Sequence, residues 1–217
     1  MIEERIREIV ANIRSINPNA ELVAATKTRD INEIREAMGT GLVLAAGENR
    51  VQELTEKFTP DFRWDFIGQL QTNKVKYIVD KVTLIHSVDR LNLAEVIEKE
   101  SAKTDKVTEV LVEINSGKEI SKGGIFLEDT EKFLESISAF PHVRVKGMMA
   151  VAPILTDENE LKRTFDEVYE TFFRLKGGDF QYLSMGMSND YLIAVKSGAN
   201  LVRLGRAIFG ERRALNG

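Results

Sequence analysis

The chain has 217 residues, a formal net charge of −4 and 43% hydrophobic residues. That length suits one compact core, and the absence of cysteine excludes disulfides and cysteine metal sites while suiting a reducing, cytoplasmic setting. The mild acidity gives no footing for nucleic-acid binding, the two histidines without an HExxH pattern give none for zinc, and no apolar run reaches the ~20 residues of a membrane span.

Ile2, Ile6, Ile9, Val10 and Ile13 recur at helical spacing and predict a helix over 2–16, too charged to be a secretory signal. NPN ends it, and ELVAAT reads as the first strand. DINEIREAMG reads as a helix with Asp30 as N-cap and a glycine stop. LVLAA is a buried strand and ENRVQELTEKF a helix; FRWDFIG is a strand and QTNKVKYIVD a helix; VTLIHSV is a strand and DRLNLAEVIEKESA a helix. KVTEVLVEIN is a longer strand, LEDTEKFLESIS a helix, VRVKGMMAV a strand and DENELKRTFDEVYETFFRL a long helix. QYLSMG, NDYLIAVKSG, NLVRLG and RAIFGERR complete the alternation as strand, helix, strand and short helix.

Short apolar strands followed by helices indicate parallel pairing with both faces covered. Eight such units with right-handed crossovers favour an α/β fold, a (β/α)8 TIM barrel, over the alternative of an open doubly wound sheet. Residues 1–217 are expected to form a single domain, with the 1–16 helix packed on the barrel.

In such a barrel the chemistry lies at the C-terminal ends of the strands. Lys27 ends the first strand there. Gly186 and Ser188 follow the seventh, and Arg203, Gly205 and Arg206 end and follow the eighth. Glycine lets backbone approach a ligand, Ser188 reads as the N-cap of the next helix, and N–H groups at helix starts favour a phosphate. Either set alone has an ordinary explanation: a solvated lysine after a strand, or plain cap and turn residues. Together they oppose an amine to an anchored phosphate, the arrangement that suits pyridoxal 5'-phosphate. Amines attack carbonyls in the neutral form, which burial near a cation such as Arg203 favours.

The motifs VAATKTR (23–29), GENRVQE (47–53), WDFIGQLQTNK (64–74), IHSVD (85–89), NSGKEISKGG (115–124), KGMMAVAP (146–153), LSMGMSND (183–190) and VRLGRAIFGER (202–212) resemble, in order and spacing, those of the pyridoxal phosphate homeostasis proteins, the YggS/PROSC family. The resemblance implies a fold-type III barrel similar to the N-terminal domain of alanine racemase. It implies that Lys27 holds pyridoxal phosphate as a Schiff base. It places Ser188 and the amides of Gly205 and Arg206 on the phosphate, Arg203 beside the pyridine nitrogen, and Asn49, Met185 and Met187 along the pocket. Departures from the family pattern are Asp65, where histidine is usual, Arg206, where threonine is common, and Ser116 and Gly117.

Several residues stay open between roles. His86 reads either as a pocket residue or as a satisfied structural histidine. Lys122 reads as a solvated loop lysine, with a second amine that passes on the cofactor as the alternative. Trp64 and the Phe172–Phe173 pair read as packing, and His142 as surface.

The resemblance implies a non-catalytic protein that stores or delivers pyridoxal phosphate and limits the free aldehyde, with apo pyridoxal phosphate enzymes as recipients. The alternative is an amino-acid racemase. Alanine racemase takes a tyrosine base from a second domain across its dimer. The residues after the eighth strand are too few to supply such a domain, and Tyr77, Tyr169, Tyr182 and Tyr191 all fall within predicted elements. A monomer without catalytic turnover is therefore expected. A phosphosugar enzyme lacking the cofactor is the third reading.

Overall fold

The computed structural model describes residues 1–117, 123–153 and 157–211. Eight parallel strands close into a barrel in sequential order. They are β1 Glu21–Ala25, β2 Ala45–Glu48, β3 Trp64–Phe66, β4 Leu84–Val88, β5 Thr108–Ile114, β6 Val143–Ala150, β7 Tyr182–Ser184 and β8 Leu201–Leu204. β1 closes the ring against β8, with Glu21, Leu22, Val23 and Ala24 beside Leu201, Val202, Arg203 and Leu204.

Outside the ring lie α1 Ile2–Ile16, α2 Ile31–Gly39, α3 Val51–Lys57, α4 Leu91–Ala102, α5 Thr130–Ile137, α6 Glu158–Leu175, α7 Tyr191–Lys196 and α8 Arg206–Phe209. α1 turns Ile6, Ile9, Val10 and Ile13 inward and packs on α2, α7 and α8. Among the described residues no helix is long and apolar enough to cross a membrane.

Alternation along each strand divides the core. Val23, Ala45, Leu84, Leu111, Met149 and Leu201 form the barrel interior. Outward-facing residues pack under the helices in two shells, one with α1 and α6–α8 and one with α3 and α4. Above the apolar layer the interior turns polar, with Asp65, His86, Ser184 and Arg203 all buried.

Three elements differ from the sequence expectation. β2 begins at Ala45 rather than Leu42 and runs on through Glu48, because its register is set against Val23–Ala25 and the buried carboxylate finds partners. The segment after β3 is a 3-10 helix over Thr72–Tyr77 rather than an α-helix. Its N–H groups reach back three residues, as from Lys74 to Gln71 and Ile78 to Val75, and β-branched Thr72 and Val75 weaken the α alternative. α7 begins at Tyr191 with Asp190, not Ser188, at its N-cap position.

Candidate functional site

Inward positions on β1 are Val23 and Ala25, and two residues further the same phase delivers Lys27 to the barrel mouth. There it lines a cavity of about 770 Å3 together with Met187, Ser188, Arg203, Gly205 and Arg206. That volume lies within the range of small-ligand sites. Ala25, Arg29, Ala152, Pro153 and Asp190 also contribute to the wall.

One side of the cavity is built by two loops. The Ser188 hydroxyl accepts from the Ala207 amide at 3.2 Å, which ties the loop after β7 to the start of α8. The Asp190 carboxylate accepts from the Met187 amide at 2.5 Å and rounds the same loop. Gly205 sits where an added Cβ would lie 3.2 Å from the Ala25 carbonyl oxygen, so glycine lets the end of β8 approach β1. Arg206 donates to Asn189 Oδ1 at 2.5 Å and lies 3.9 Å from the Glu211 carboxylate. Its guanidinium is held at the rim.

Arg203 is nearly enclosed. It donates to the Ser184 carbonyl at 2.8 Å, the Ser184 hydroxyl at 2.6 Å and the Ala150 carbonyl at 3.0 Å. Burial pulls its pKa down to about 10, against the opposing pull of the Glu113 and Asp190 carboxylates. The guanidinium therefore stays charged at neutral pH. Because Arg203 donates to the Ser184 oxygen, the Ser184 hydrogen is free for His86 Nδ1, 3.1 Å away. His86 Nε2 then carries the ring hydrogen and faces Asp65 Oδ2 at 3.3 Å. Asp65 is gripped by Arg63 at 2.9 and 3.2 Å. Burial holds His86 below the ordinary imidazole range despite the Asp65 bond, so the ring is neutral. His86 thus has the structural role of the two that the sequence left open, and Asp65 supports an imidazole from below.

Asn49 follows β2 on the inward phase. Its Oδ1 is buried with no hydrogen-bond partner among the described residues. Met185 does not join the cavity wall. It follows inward Ser184, so alternation points it outward, where it is fully buried in the same core cluster as Ala194, Val202 and Leu204. Lys122, with Glu119 and Ser121, lies outside the described residues.

The sequence reading missed the polar residues around Lys27. Glu48 is fully buried, and Lys57 Nζ lies 2.8 Å from its carboxylate. The signal was present as a charged residue at the end of a strand and an i,i+4 Glu53–Lys57 pair on a helix. A solvated helix-surface pair gives the same pattern.

The residues present fit a phosphorylated aldehyde. An amine, a hydroxyl, helix-start backbone and a buried guanidinium converge on one cavity; Asn49, expected along the pocket, is not among the residues that line it. Among the described residues there is no cluster of three or more His, Asp or Glu placed to hold a metal.

The closed parallel barrel agrees with the class of the alanine racemase N-terminal domain, whose family model matches residues 2–213. The chain belongs, more narrowly, to the pyridoxal phosphate homeostasis protein family. It is 42% identical over 201 residues to the pyridoxal phosphate homeostasis protein of Aquifex aeolicus, covering 89% of this chain and 88% of the relative. Its fold matches PipY of Synechococcus elongatus at 30% identity, over 97% of this chain and 100% of PipY. The TM-score is 0.88 to PipY without PLP and 0.82 to PipY with PLP bound.

Proposed function

We propose that this protein binds pyridoxal 5'-phosphate covalently through Lys27 and serves its homeostasis in the cytoplasm, storing or delivering the cofactor without turnover of its own. The observation that carries this reading is a cavity that Lys27 lines together with Ser188, Arg203, Gly205 and Arg206. When bound, the cofactor supplies an aldehyde with which a primary amine condenses, the amine nitrogen joining the carbonyl carbon as the carbonyl oxygen leaves as water with both amine hydrogens.

The chain's own residues divide the remaining work. Ser188 and the Gly205 and Arg206 amides anchor the phosphate. Arg203, charged and fixed by three hydrogen bonds, would hold the ring-nitrogen end of the cofactor and disfavour its protonation. Met187 lines the ring. Residues 1–217 act as one binding unit, and the protein works as a monomer that hands the cofactor to apo enzymes. The relatives' name supports homeostasis over racemisation, and none of the four tyrosines is among the residues lining the cavity.

The test is borohydride reduction of protein loaded with pyridoxal phosphate, followed by peptide mass spectrometry. The expected result is the reduced cofactor's mass on Lys27 and loss of the visible band in Lys27→Ala. A label on another lysine, or an unchanged band in Lys27→Ala, overturns the reading.

A further inference from the structure

The two residues flanking Lys27 are held by a set of groups outside the cavity. Thr26 and Thr28 sit on either side, and Thr28 adopts a left-handed backbone with φ +64°. Threonine is β-branched and disfavours that region, so something must hold it there.

The holding groups come from β2 and α3. Glu48 Oε1 accepts from the Thr26 hydroxyl at 2.9 Å, and Glu48 Oε2 accepts from the Asn49 amide at 2.9 Å. Glu53 Oε2 accepts from the Thr28 amide at 2.8 Å. Lys57 Nζ joins the whole set, donating to Glu48 at 2.8 Å, Glu53 at 2.8 Å and the Thr26 carbonyl at 3.1 Å. Those three acceptors match the three N–H donors of an ammonium. On the far side, Arg29 donates to the Gly210 and Glu211 carbonyls at 2.6 and 3.2 Å and covers the Phe209 ring. Glu48 and Lys57 are both too enclosed for a solvated pair, with side chains 0% and 15% exposed.

We propose that Glu48, Glu53 and Lys57 are positioning residues for Lys27: they fix the Thr26–Thr28 backbone so that the lysine amine stands at the cavity before the cofactor arrives. This rests on Lys27 being the amine that captures pyridoxal phosphate. None of the three touches the cofactor; they act through main chain. Glu53 carries the contact to the left-handed residue, so it is the sharpest place to intervene. Removing its carboxylate frees Thr28 to leave φ +64°, after which Lys27 samples directions away from the aldehyde.

The test compares wild type, Glu53→Ala and Glu53→Gln by stopped-flow growth of the visible band on adding pyridoxal phosphate. Glu53→Ala is expected to slow capture on the order of tenfold, the weight of one residue's backbone ordering. Glu53→Gln keeps an acceptor oxygen for the Thr28 amide and is expected to recover most of the rate. Pyridoxine 5'-phosphate, which bears an alcohol in place of the aldehyde, is expected to bind all three proteins alike, because the phosphate side is untouched. The Thr28 amide is expected to exchange its hydrogen faster in Glu53→Ala alone. Equal capture rates in Glu53→Ala and wild type overturn the proposal. So does a parallel loss of pyridoxine phosphate binding, which would mark a collapsed pocket. A wild type that forms no band and carries no reduced cofactor on Lys27 overturns the underlying reading as well.

Discussion

Glu113 shows how much one inward position can carry. It follows Leu111 on the inner face of β5 and faces Asp89, Arg90 and Arg203. Burial first, and the Asp89 carboxylate second, push its pKa from an ordinary 4.5 to about 7, against the two arginines. The folded state therefore holds this proton more tightly than the unfolded chain does. Its contribution to stability is retained at low pH and lost as pH rises from about 4.5 to about 7. Glu113→Gln removes the charged form, so it should stabilise the fold by about 2 kcal/mol more at pH 8 than at pH 5. Urea titrations at the two pH values measure this, and equal effects would show that the carboxyl titrates normally. At the same level, Lys27, Ser188 and Arg203 were legible as polar residues at strand ends that share one cavity. The side on which Met185 points was not, because a run of SMGMS has no apolar alternation to set its phase. The N-cap position read for Ser188 is held by Asp190, whose carboxylate accepts from the Met187 amide rather than from the helix, while Ser188 turns to the Ala207 amide; serine and aspartate both suit an N-cap, so the sequence does not separate them.

Among the elements, β6 depends on a bulge. Val110 pairs with Val145 and Leu111 with Gly147, leaving Lys146 as the extra residue. That insertion resets the phase of the strand. Met148 faces the helices and Met149 the interior, and the Ala150 carbonyl is presented to Arg203. Gly147 has φ +148°, and a Cβ there would lie 1.9 Å from the Tyr182 carbonyl oxygen. Gly147→Ala is expected to cost about 3 kcal/mol or more, read from the urea midpoint; a loss below about 1 kcal/mol would show that β7 shifts without penalty. The sequence VRVKGMMAV announced the strand but not the bulge, which exists only against its neighbours. Helices were more readable where amphipathicity was strong. α6 buries Leu161, Phe165, Val168 and Phe172 at regular spacing, although Phe173, expected to pack with its neighbour, is 64% exposed beside Tyr169. The Thr72–Tyr77 turn was less readable, because six residues hold too little periodicity to separate 3-10 from α.

For the molecule as a whole, the closed ring was legible from eight repeats of strand and helix, since short apolar strands need cover on both faces. Its closing contact explains the site, because the β1–β8 pairing brings the lysine strand alongside the strand that carries Arg203. The proposed delivery belongs to the entire protein and is tested as such. Loaded protein mixed with an apo pyridoxal phosphate enzyme should activate it faster than the same amount of free cofactor, and the advantage should vanish in Lys27→Ala. Activation no faster than free cofactor would leave storage as the role and remove delivery.

The ring's first and last strands are neighbours in space but more than the length of the barrel apart along the chain. During synthesis Lys27 therefore leaves the ribosome well before Ser188 to Arg206, the segment whose residues share its cavity. A half-made chain thus holds Lys27 without its cavity, whose wall is complete only once translation has delivered the eighth strand.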